Sequence, residues 1–455
     1  MSNIPMKVFS QRRRQMDKVG RHKKKGLVGS DKEEAVDRIL ERLREKLLSE
    51  FDDDAQTLDE IEDQSERIGE ELKRVVSREV LDKRQRKERQ QSRDAECNCG
   101  RTARYAGLRS KELVLLSGPL RIERSYYHCP ACHAGFAPMD QLLGIGRGQC
   151  SRRVAGLIGR LSCYLPDRMV SAELMDLKGV SLAPSTVQRY SRRVGEAISR
   201  EWDADQTKMR SRTLPASKER PNRLHVTADG AMLHVGGSWR EAKLGSVYQT
   251  SPSGHAIKAR YYATMQSSVP FGMKLRLLGH HSGSDHCRDM AAVADGAAWI
   301  WQEVGKHFPL SVQVLDYFHV TQHLWEAAHL RFGEGSAQAS EWMNKQKTRL
   351  LQDQIDKVIA SVAEWRPRLA QKRTIRRRLL GYLGEHRHRM FYKSFAEAGY
   401  HIGSGVAESG CKNVVQIRMK RAGMRWSEKG AESILHLCSW YASHDRGGIH
   451  QYLRA

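Results

Sequence analysis

The sequence predicts a multidomain α/β protein, and three observations carry that expectation. Apolar residues recur at helical spacing near the N-terminus, at Val36, Leu40, Leu43, Leu47 and Phe51. After residue 223 the pattern turns to short strand-like runs, "RLHVTADG", "WREAKLGSVYQ" and "ARYYATM". Between these regions the composition changes several times, punctuated by Gly-Pro and Pro-containing polar stretches. At 455 residues the chain is long enough for several domains with a substantial buried core.

In chain order, residues 1–30 are a polar, basic arm ("RRRQMDK", "RHKKKG") able to lie along phosphates. Residues 31–95 form a helical region, a candidate surface for assembly or for binding DNA ends. Residues 96–148 contain "ELVLLSGPLRIERSYYHC", whose alternation and Gly-Pro turn predict a β-hairpin. Residues 149–206 are expected as short helices. Within them "SAELMDLKGVSLAPSTVQRYSRRVGEAI" reads as helix, turn at Gly179 and a second helix from Pro184. As a helix-turn-helix-like module it would turn Gln188, Arg189 and Arg192 toward a major groove. A plain packing role fits the same pattern equally well. Residues 207–222 are a polar linker. Residues 223–455 then give three strands, a helix over "CRDMAAVADGAAWIWQEVGKHF", the strand "SVQVLD" and further helices. That order is expected of an RNase H-like domain, a mixed sheet with helices. The Arg- and Lys-rich helical stretch at about 320–398 would be a large insertion in it.

A formal net charge of +24 and a pI near 9.8 favour a polyanionic partner, and nucleic acid is the usual one. The nine cysteines are four in two tight pairs and five scattered singly, which is no disulfide framework. The first residues lack the apolar core of a signal peptide, and no apolar run approaches the ~18 residues of a membrane span. The expectation is a cytoplasmic, nucleoid-associated protein without a membrane partner.

The paired cysteines are Cys97-x-Cys99 and Cys129-x-x-Cys132, at the two ends of the expected hairpin. Four thiolates from two knuckles suit a tetrahedral structural Zn²⁺, the arrangement of a zinc ribbon-like domain. The first pair is one residue tighter than the usual spacing. His128 and His133 flank the second pair as substitute ligands.

If "LHVTADG" is a strand, Leu224, Val226 and Ala228 share one face while His225, Thr227 and Asp229 share the other. The apolar run "SVQVLD" ends at Asp316, and a carboxylate there is costly unless paired or metal-bound. Glu408 follows a glycine-rich turn in "IGSGVAESGCKNVVQIRMKR", where Gly405 rules out a capping box. Two strand-end aspartates and a helix-borne glutamate suit two Mg²⁺ ions, or Mn²⁺ in their place, for phosphoryl transfer. Asp285 and Asp295 compete for the same role, and ordinary turn acids are the plain alternative. Lys412, Arg418, Lys420 and Arg421 would hold DNA phosphates near Glu408. Trp426 in "GMRW" would stack on an unpaired base or pack in the core. His319 reads as a packing residue.

Five segments, "YYHCPACHAGFAPMD", "VTADGAMLHVGGSWREAKLGSVY", "LDYFHVTQHLWEAA", "IGSGVAESGCKNVV" and "KRAGMRWSEKGAE", follow one another between Cys97 and Ser443. In sequence and order they resemble the ISKra-type family of bacterial insertion-sequence transposases. The resemblance implies an RNase H-like catalytic domain with the acidic triad Asp229, Asp316 and Glu408. It also implies an enzyme that binds terminal inverted repeats, cuts double-stranded DNA and transfers a 3′-OH strand into a target. Holding two element ends implies a homo-oligomer. Residues before Cys97 lie outside the resemblance. The rival readings are a catalytically silent, transposase-derived DNA-binding regulator and an RNase H-like nuclease.

Overall fold

The computed structural model describes residues 31–50, 57–89, 94–145 and 148–444, and the basic arm expected at 1–30 lies outside them. The chain divides into two units. One runs to Glu112 and includes Ser117–Met139; the other takes Leu113–Leu116 and the chain from Asp140.

In the first unit, the amphipathic spacing gives two helices, α1 (Asp31–Glu50) and α2 (Leu58–Arg89). They meet around Glu79, which is 2% exposed and takes Arg38 at 2.8 Å and Arg86 at 3.4 Å. A carboxylate so buried is tolerated because it is paired. Four strands follow in sheet order, β1 (Asp94–Glu96), β2 (Thr102–Leu115), β3 (Gly118–His128) and β4 (Gly135–Phe136). Strand β4 pairs only with the end of β3, at Tyr127 and His128. Along the rest of that edge α2 supplies acceptors. Gln85 takes the backbone N–H of Glu123 at 3.1 Å, and Glu88 that of Ser125 at 3.2 Å. Side chains thus cover backbone donors that an open edge would leave exposed. The helices and the hairpin are one unit, where the sequence reading parts them at residue 95.

Helix α3 (Pro138–Leu143) spans the boundary at Asp140, and the second unit goes on with α4 (Arg152–Ser162), α5 (Asp167–Lys178) and α6 (Pro184–Arg210). Gly179 ends α5 in the left-handed conformation, at φ 58°, and Pro184 opens α6, so the expected helix, turn and helix are present locally. Helix α6 runs to Arg210, which makes the first residues of the expected linker helical. Five strands form the second sheet: β5 (Arg223–Val235), β6 (Ser238–Thr250), β7 (Ala256–Thr264), β8 (Asp289–Ala294) and β9 (Val312–Leu315). Their order is β7-β6-β5-β8-β9, with β5, β6 and β7 antiparallel and β8 and β9 parallel to β5. Helix α7 (Ser268–His281) joins β7 to β8, and α8 (Ala298–His307) joins β8 to β9.

One expected element is corrected here. The stretch "CRDMAAVADGAAWIWQEVGKHF" is not a single helix: its first part is β8 and only its second part is α8. Nearly every residue of β8 is buried, and a strand covered on both faces loses the alternation that marks a strand. Its alanines then resemble a buried helix.

Five helices, α9 (Tyr317–Phe332), α10 (Ala337–Leu350), α11 (Ile355–Ala363), α12 (Ala370–Glu385) and α13 (Tyr392–Glu397), stand between β9 and α14 (Gly405–Gly410). A wider π-helical turn over Cys411–Gln416, α15 (Ile417–Met419) and α16 (Glu428–Ser443) complete the unit. Leu224, Val226 and Ala228 share a core with Phe271, Ile300 and Leu324. Leu233, Leu244, Val414 and Leu435 share another with Val194 and Ile198 of α6. Helix α6 is therefore part of the sheet's own packing. Among the described residues, no helix is long and apolar enough to cross a membrane.

Helices α6 and α16 approach closely at Gly195, where an added Cβ would lie 2.0 Å from the Ser433 carbonyl oxygen. Gly195→Ala is expected to destabilise the protein by about 1–3 kcal/mol in urea unfolding. Gly381 of α12 faces open space, so Gly381→Ala is expected to stabilise by about 0.5–1 kcal/mol in the same assay.

Candidate functional site

The chain turns twice to bring its paired cysteines together. At the first turn Gly100 donates its N–H to the Cys97 carbonyl, and at the second His133 donates to that of Cys129. Gly100 at φ 77° and His133 at φ 57° take the left-handed backbone these tight turns need. Cys97 and Cys132 sulfurs lie 3.6 Å apart, and those of Cys99 and Cys129 3.7 Å. All four ligand atoms fall within 4.8 Å of one another. A tetrahedron with Zn–S bonds of about 2.3 Å has sulfurs about 3.8 Å apart, so the cluster can hold a metal such as zinc. Backbone N–H groups, that of Cys132 first, lower the Cys129 thiol, while Cys132, although the Ala134 N–H lowers it, is raised by the three thiols beside it, so the four act as one group. His128 and His133 do not join the group.

The second constellation follows from strand register. In the parallel pairing, Ala228 stands opposite Ala294, and Ala294 opposite Leu315. The next residue on each strand is an aspartate, so Asp229, Asp295 and Asp316 form one row across the sheet. Residues in register on parallel strands project to the same face.

Their environments differ. Asp229 is half-buried, and burial raises its carboxyl; the neighbouring charge of Asp295 raises it further. The Gly230 N–H at 2.6 Å, the Cys411 thiol and nearby His319 work against that rise. Asp295, also half-buried, accepts the Ala297 N–H at 2.9 Å. Asp316 is fully buried, and both its oxygens are engaged. One caps α9 by accepting the His319 N–H at 2.9 Å. The other accepts the Ser404 N–H and hydroxyl, each at 2.5 Å. Asp285, the other competing acid, is bound to Arg276 at 2.9 Å and His280 at 2.5 Å.

In sequence Asp295 is only a competitor for the role, because the stretch 287–308 reads as one helix; the structure sets it just past the end of β8. A signal was present, since "ADG" closes an apolar run twice, at Asp229-Gly230 and at Asp295-Gly296.

Glu408 stands on α14, in the turn before Cys411. It is half-buried, and its charge and that of Asp229 both act on the Cys411 thiol, which burial raises first. Ser404, the residue before α14, is tied to Asp316, and the Tyr317 N–H donates to the Ile402 carbonyl at 2.9 Å. Among the described residues, the four cysteines are the one group drawn together at metal-ligand spacing. No three of Asp229, Asp295, Asp316 and Glu408 are gathered to that degree.

A buried histidine clamps the segment that leads to Glu408. His225 lies four residues before Asp229 on β5 and stacks on Tyr248 at 5.1 Å and on His401 at 4.7 Å. Its Nε2 accepts the His401 backbone N–H at 3.2 Å, so the neutral ring carries its proton on Nδ1, 3.0 Å from the Thr250 hydroxyl. His401 donates from Nε2 to the Gly254 carbonyl at 2.9 Å and accepts the Tyr248 O–H at 2.9 Å. Burial, then the charges of His401 and Arg223, hold His225 down at about 3, against a weaker pull from Asp289.

The basic candidates separate by exposure. Gln188, Arg189 and Arg192 are exposed on the first turns of α6, with Arg192 3.2 Å from Glu196. Lys412, Lys420 and Arg421 are exposed, and Arg421 donates to the Tyr164 carbonyl at 3.1 Å. Arg418 is the correction. It is 2% exposed, donates to the Ser162 carbonyl at 2.9 Å and pairs with Asp167 at 3.3 Å, so phosphate cannot reach it. Its guanidinium lies 4.7 Å from the centre of the Trp426 ring. The Trp426 indole N–H donates to the Met419 carbonyl at 3.2 Å, so this ring is a packing element on at least one face.

Two outcomes are expected. Purified protein should carry one zinc per chain by metal analysis, and Cys99→Ser should lose most of it. The second concerns pH. His225 sits at about 3 when folded and near its ordinary value of about 6.5 when unfolded, so the unfolded chain binds its proton first as pH falls. Its stabilisation is complete above about 6.5 and is lost as pH falls from there toward 3. Urea midpoints should therefore drop from about pH 7 to about pH 5, with roughly 2 kcal/mol of the drop owed to this ring. His225→Gln should shrink the drop by that amount; an unchanged drop would show that the ring is not held neutral.

No family model matches the chain. It is 24% identical over 349 residues to a Streptococcus gallolyticus protein described as "UPF0236 protein in vanSb 3'region", an alignment covering 72% of each chain. That is a distant, family-level likeness.

Proposed function

We infer that this protein is a DNA transposase whose five-stranded sheet is an RNase H-like catalytic core. The observation that carries the reading is the row of aspartates set by β5, β8 and β9, with Glu408 and Asp229 both acting on the one Cys411 thiol. Sites of open sheets lie beyond the C-terminal ends of parallel strands. Asp295 and Asp316 follow the ends of β8 and β9, while Asp229, expected at a strand end, stands beside them within the longer β5, which runs on to Val235. The net charge of +24 supports a polyanionic substrate, and the ordered motifs from Cys97 to Ser443 support the class.

Asp229, Asp295 and Glu408 are the residues that would hold Mg²⁺ or Mn²⁺. Their hard oxygens fit such ions, and a carboxyl raised by burial and a like charge is one a cation stabilises. When bound, the ions would activate the attacking oxygen and neutralise charge on the leaving one. The Gly230 N–H and the Cys411 thiol donate to Asp229 and hold its carboxylate in place. Gly296 leaves the room that Tyr382 occupies beside Asp295, since a Cβ there would fall 2.1 Å from the Tyr382 ring. Asp316, with both oxygens engaged, acts as a positioning residue that ties Ser404, and through it α14, to the end of β9.

The chemistry is two in-line displacements. Water attacks a phosphodiester phosphorus, and the bond to the 3′ oxygen breaks to release a 3′-OH. That hydroxyl attacks a target phosphodiester, and a target 3′ oxygen leaves. Neither step needs a Ser or Tyr nucleophile. Lys412, Lys420 and Arg421 would contact phosphates near Glu408. The four cysteines would hold Zn²⁺ in a ribbon-like unit that, with the helix-turn-helix-like α5 and α6, binds element ends. Two ends held together would require a homo-oligomer.

The test is Mg²⁺- or Mn²⁺-dependent nicking and strand joining on DNA carrying the native flanks of the gene. Asp229→Asn, Asp295→Asn and Glu408→Gln should each abolish joining while DNA binding persists. Asp316→Asn should lower thermal stability as well as rate. Cutting without joining would point to a nuclease instead. Binding without cutting, unchanged by the substitutions, would leave a DNA-binding regulator.

A further inference from the structure

The surface of helix α12 carries charge that the fold itself does not use. The helix "AQKRTIRRRLLGYLGE" has five bases, Lys372, Arg373, Arg376, Arg377 and Arg378, and one acid, Glu385. Two of the bases have structural work. Lys372 donates to the Leu330 carbonyl at 2.6 Å, and Arg376 to that of Ala363 at 2.8 Å. Beside them the apolar face, Leu379 and Leu383, is buried. Arg373, Arg377 and Arg378 point the other way. All three are exposed, and among the described residues none has an ion pair or side-chain hydrogen bond.

This placement works against the helix. Cations in the first half of a helix oppose its dipole, and α12 has no acid in its first turn and no base in its last. Arg373 and Arg377 are four apart, so they also repel each other. Other exposed helices here answer their bases with acids, as in Arg192–Glu196, Lys208–Asp205 and Lys393–Glu397. On α12 nothing answers them. Gly381 and Gly384 sit on the same open side, and a Cβ on either would meet no atom within 4 Å. A partner on this side therefore meets arginine side chains, helix backbone at the two glycines and, at the helix's last residue, Glu385.

The helix is also joined to the aspartate row. Tyr382 packs into the space beside Gly296, and the charges of Asp295 and Asp316 both act on its hydroxyl, which is buried with no hydrogen-bond partner. Arg378 lies one turn before Tyr382 on nearly the same side. From Tyr382 to Arg373 the helix rises about 14 Å, or about four base pairs of duplex at ~3.4 Å each.

We propose that the open face of α12 is a duplex-DNA contact, in which Arg373, Arg377 and Arg378 bind backbone phosphates a few base pairs from the bond being cut. The location relative to the cut rests on the transposase reading; the phosphate contact itself does not. It assigns the helical insertion a substrate-holding role.

The experiment measures binding of the full-length protein to a short DNA duplex carrying the gene's flanks, by fluorescence anisotropy over a range of salt. Wild type is compared with Arg373→Gln/Arg377→Gln/Arg378→Gln and with Glu408→Gln. The triple variant should bind ~10-fold or more weakly near 0.1 M salt, and its slope of log K against log salt should flatten by about 2–3. Its thermal midpoint should hold or rise, because the repulsion within α12 is relieved. Glu408→Gln should keep the wild-type slope. An unchanged slope in the triple variant of a protein that cuts DNA would overturn the proposal and leave the catalytic reading standing. A flattened slope in a protein that never cuts would support the phosphate contact and sink the catalytic reading. A loss seen with an RNA duplex but not with DNA would overturn the assignment of the partner.

Discussion

The in-register parallel pairing of β5, β8 and β9 is the constraint on which the second unit depends. Parallel neighbours point matching side chains to one face, so Ala228, Ala294 and Leu315 in one row dictate an aspartate from each strand in the next. Three carboxylates side by side repel one another and resist burial. The structure offsets this unequally. Asp316 is fully buried but receives three donors, while Asp229 and Asp295 keep partial exposure and fewer bonds. A slip of one residue in either pairing would scatter the row across both faces.

The fourth acid depends on a different device. Glu408 lies far along the chain from β5, and a five-helix insertion separates it from β9. Its approach is governed by the short segment before α14, which is fastened at two points. Asp316 binds Ser404, and the ring of His225 binds the backbone of His401. Both fastenings use groups on the face that carries the aspartates, so the sheet that sets the row also sets the glutamate's approach. Neutral His225 is a requirement of this arrangement, because Nε2 must accept a hydrogen bond. A shift in that segment would move Glu408 without touching the residue itself.

The first unit meets a different shortage. Its hairpin is long but its apolar cluster is small, Cys97, Ala103, Tyr127 and Cys129 with Ala95 and Phe136 against them. A core of that size holds little structure alone, and a metal bridging two turns is a usual remedy in small folds. Helix α2 adds the other support by covering the donors of β3, which keeps that edge from pairing with other chains.

Local signals carried much of this protein's design. Helical spacing located α1 and α2, alternation located β5, β6 and β7, and Gly179 with Pro184 marked the turn between α5 and α6. The cysteine cluster was legible as a candidate metal site because such sites need their ligand types at short spacing. Strand β8 was not, because burial on both faces removes the period on which such a reading depends. Losing β8 hid that Asp295 stands in one row with Asp229 and Asp316. Arg418 was misread for a related reason: a basic segment looks uniform in sequence, while packing against Ser162, Asp167 and Trp426 sets one of its charges inside. By itself the sequence determined the kinds of residue available, acids ending apolar runs, thiols in pairs and an excess of base. The tertiary structure decided which of them stand side by side, because strand register and burial arise from contacts between residues far apart in the chain.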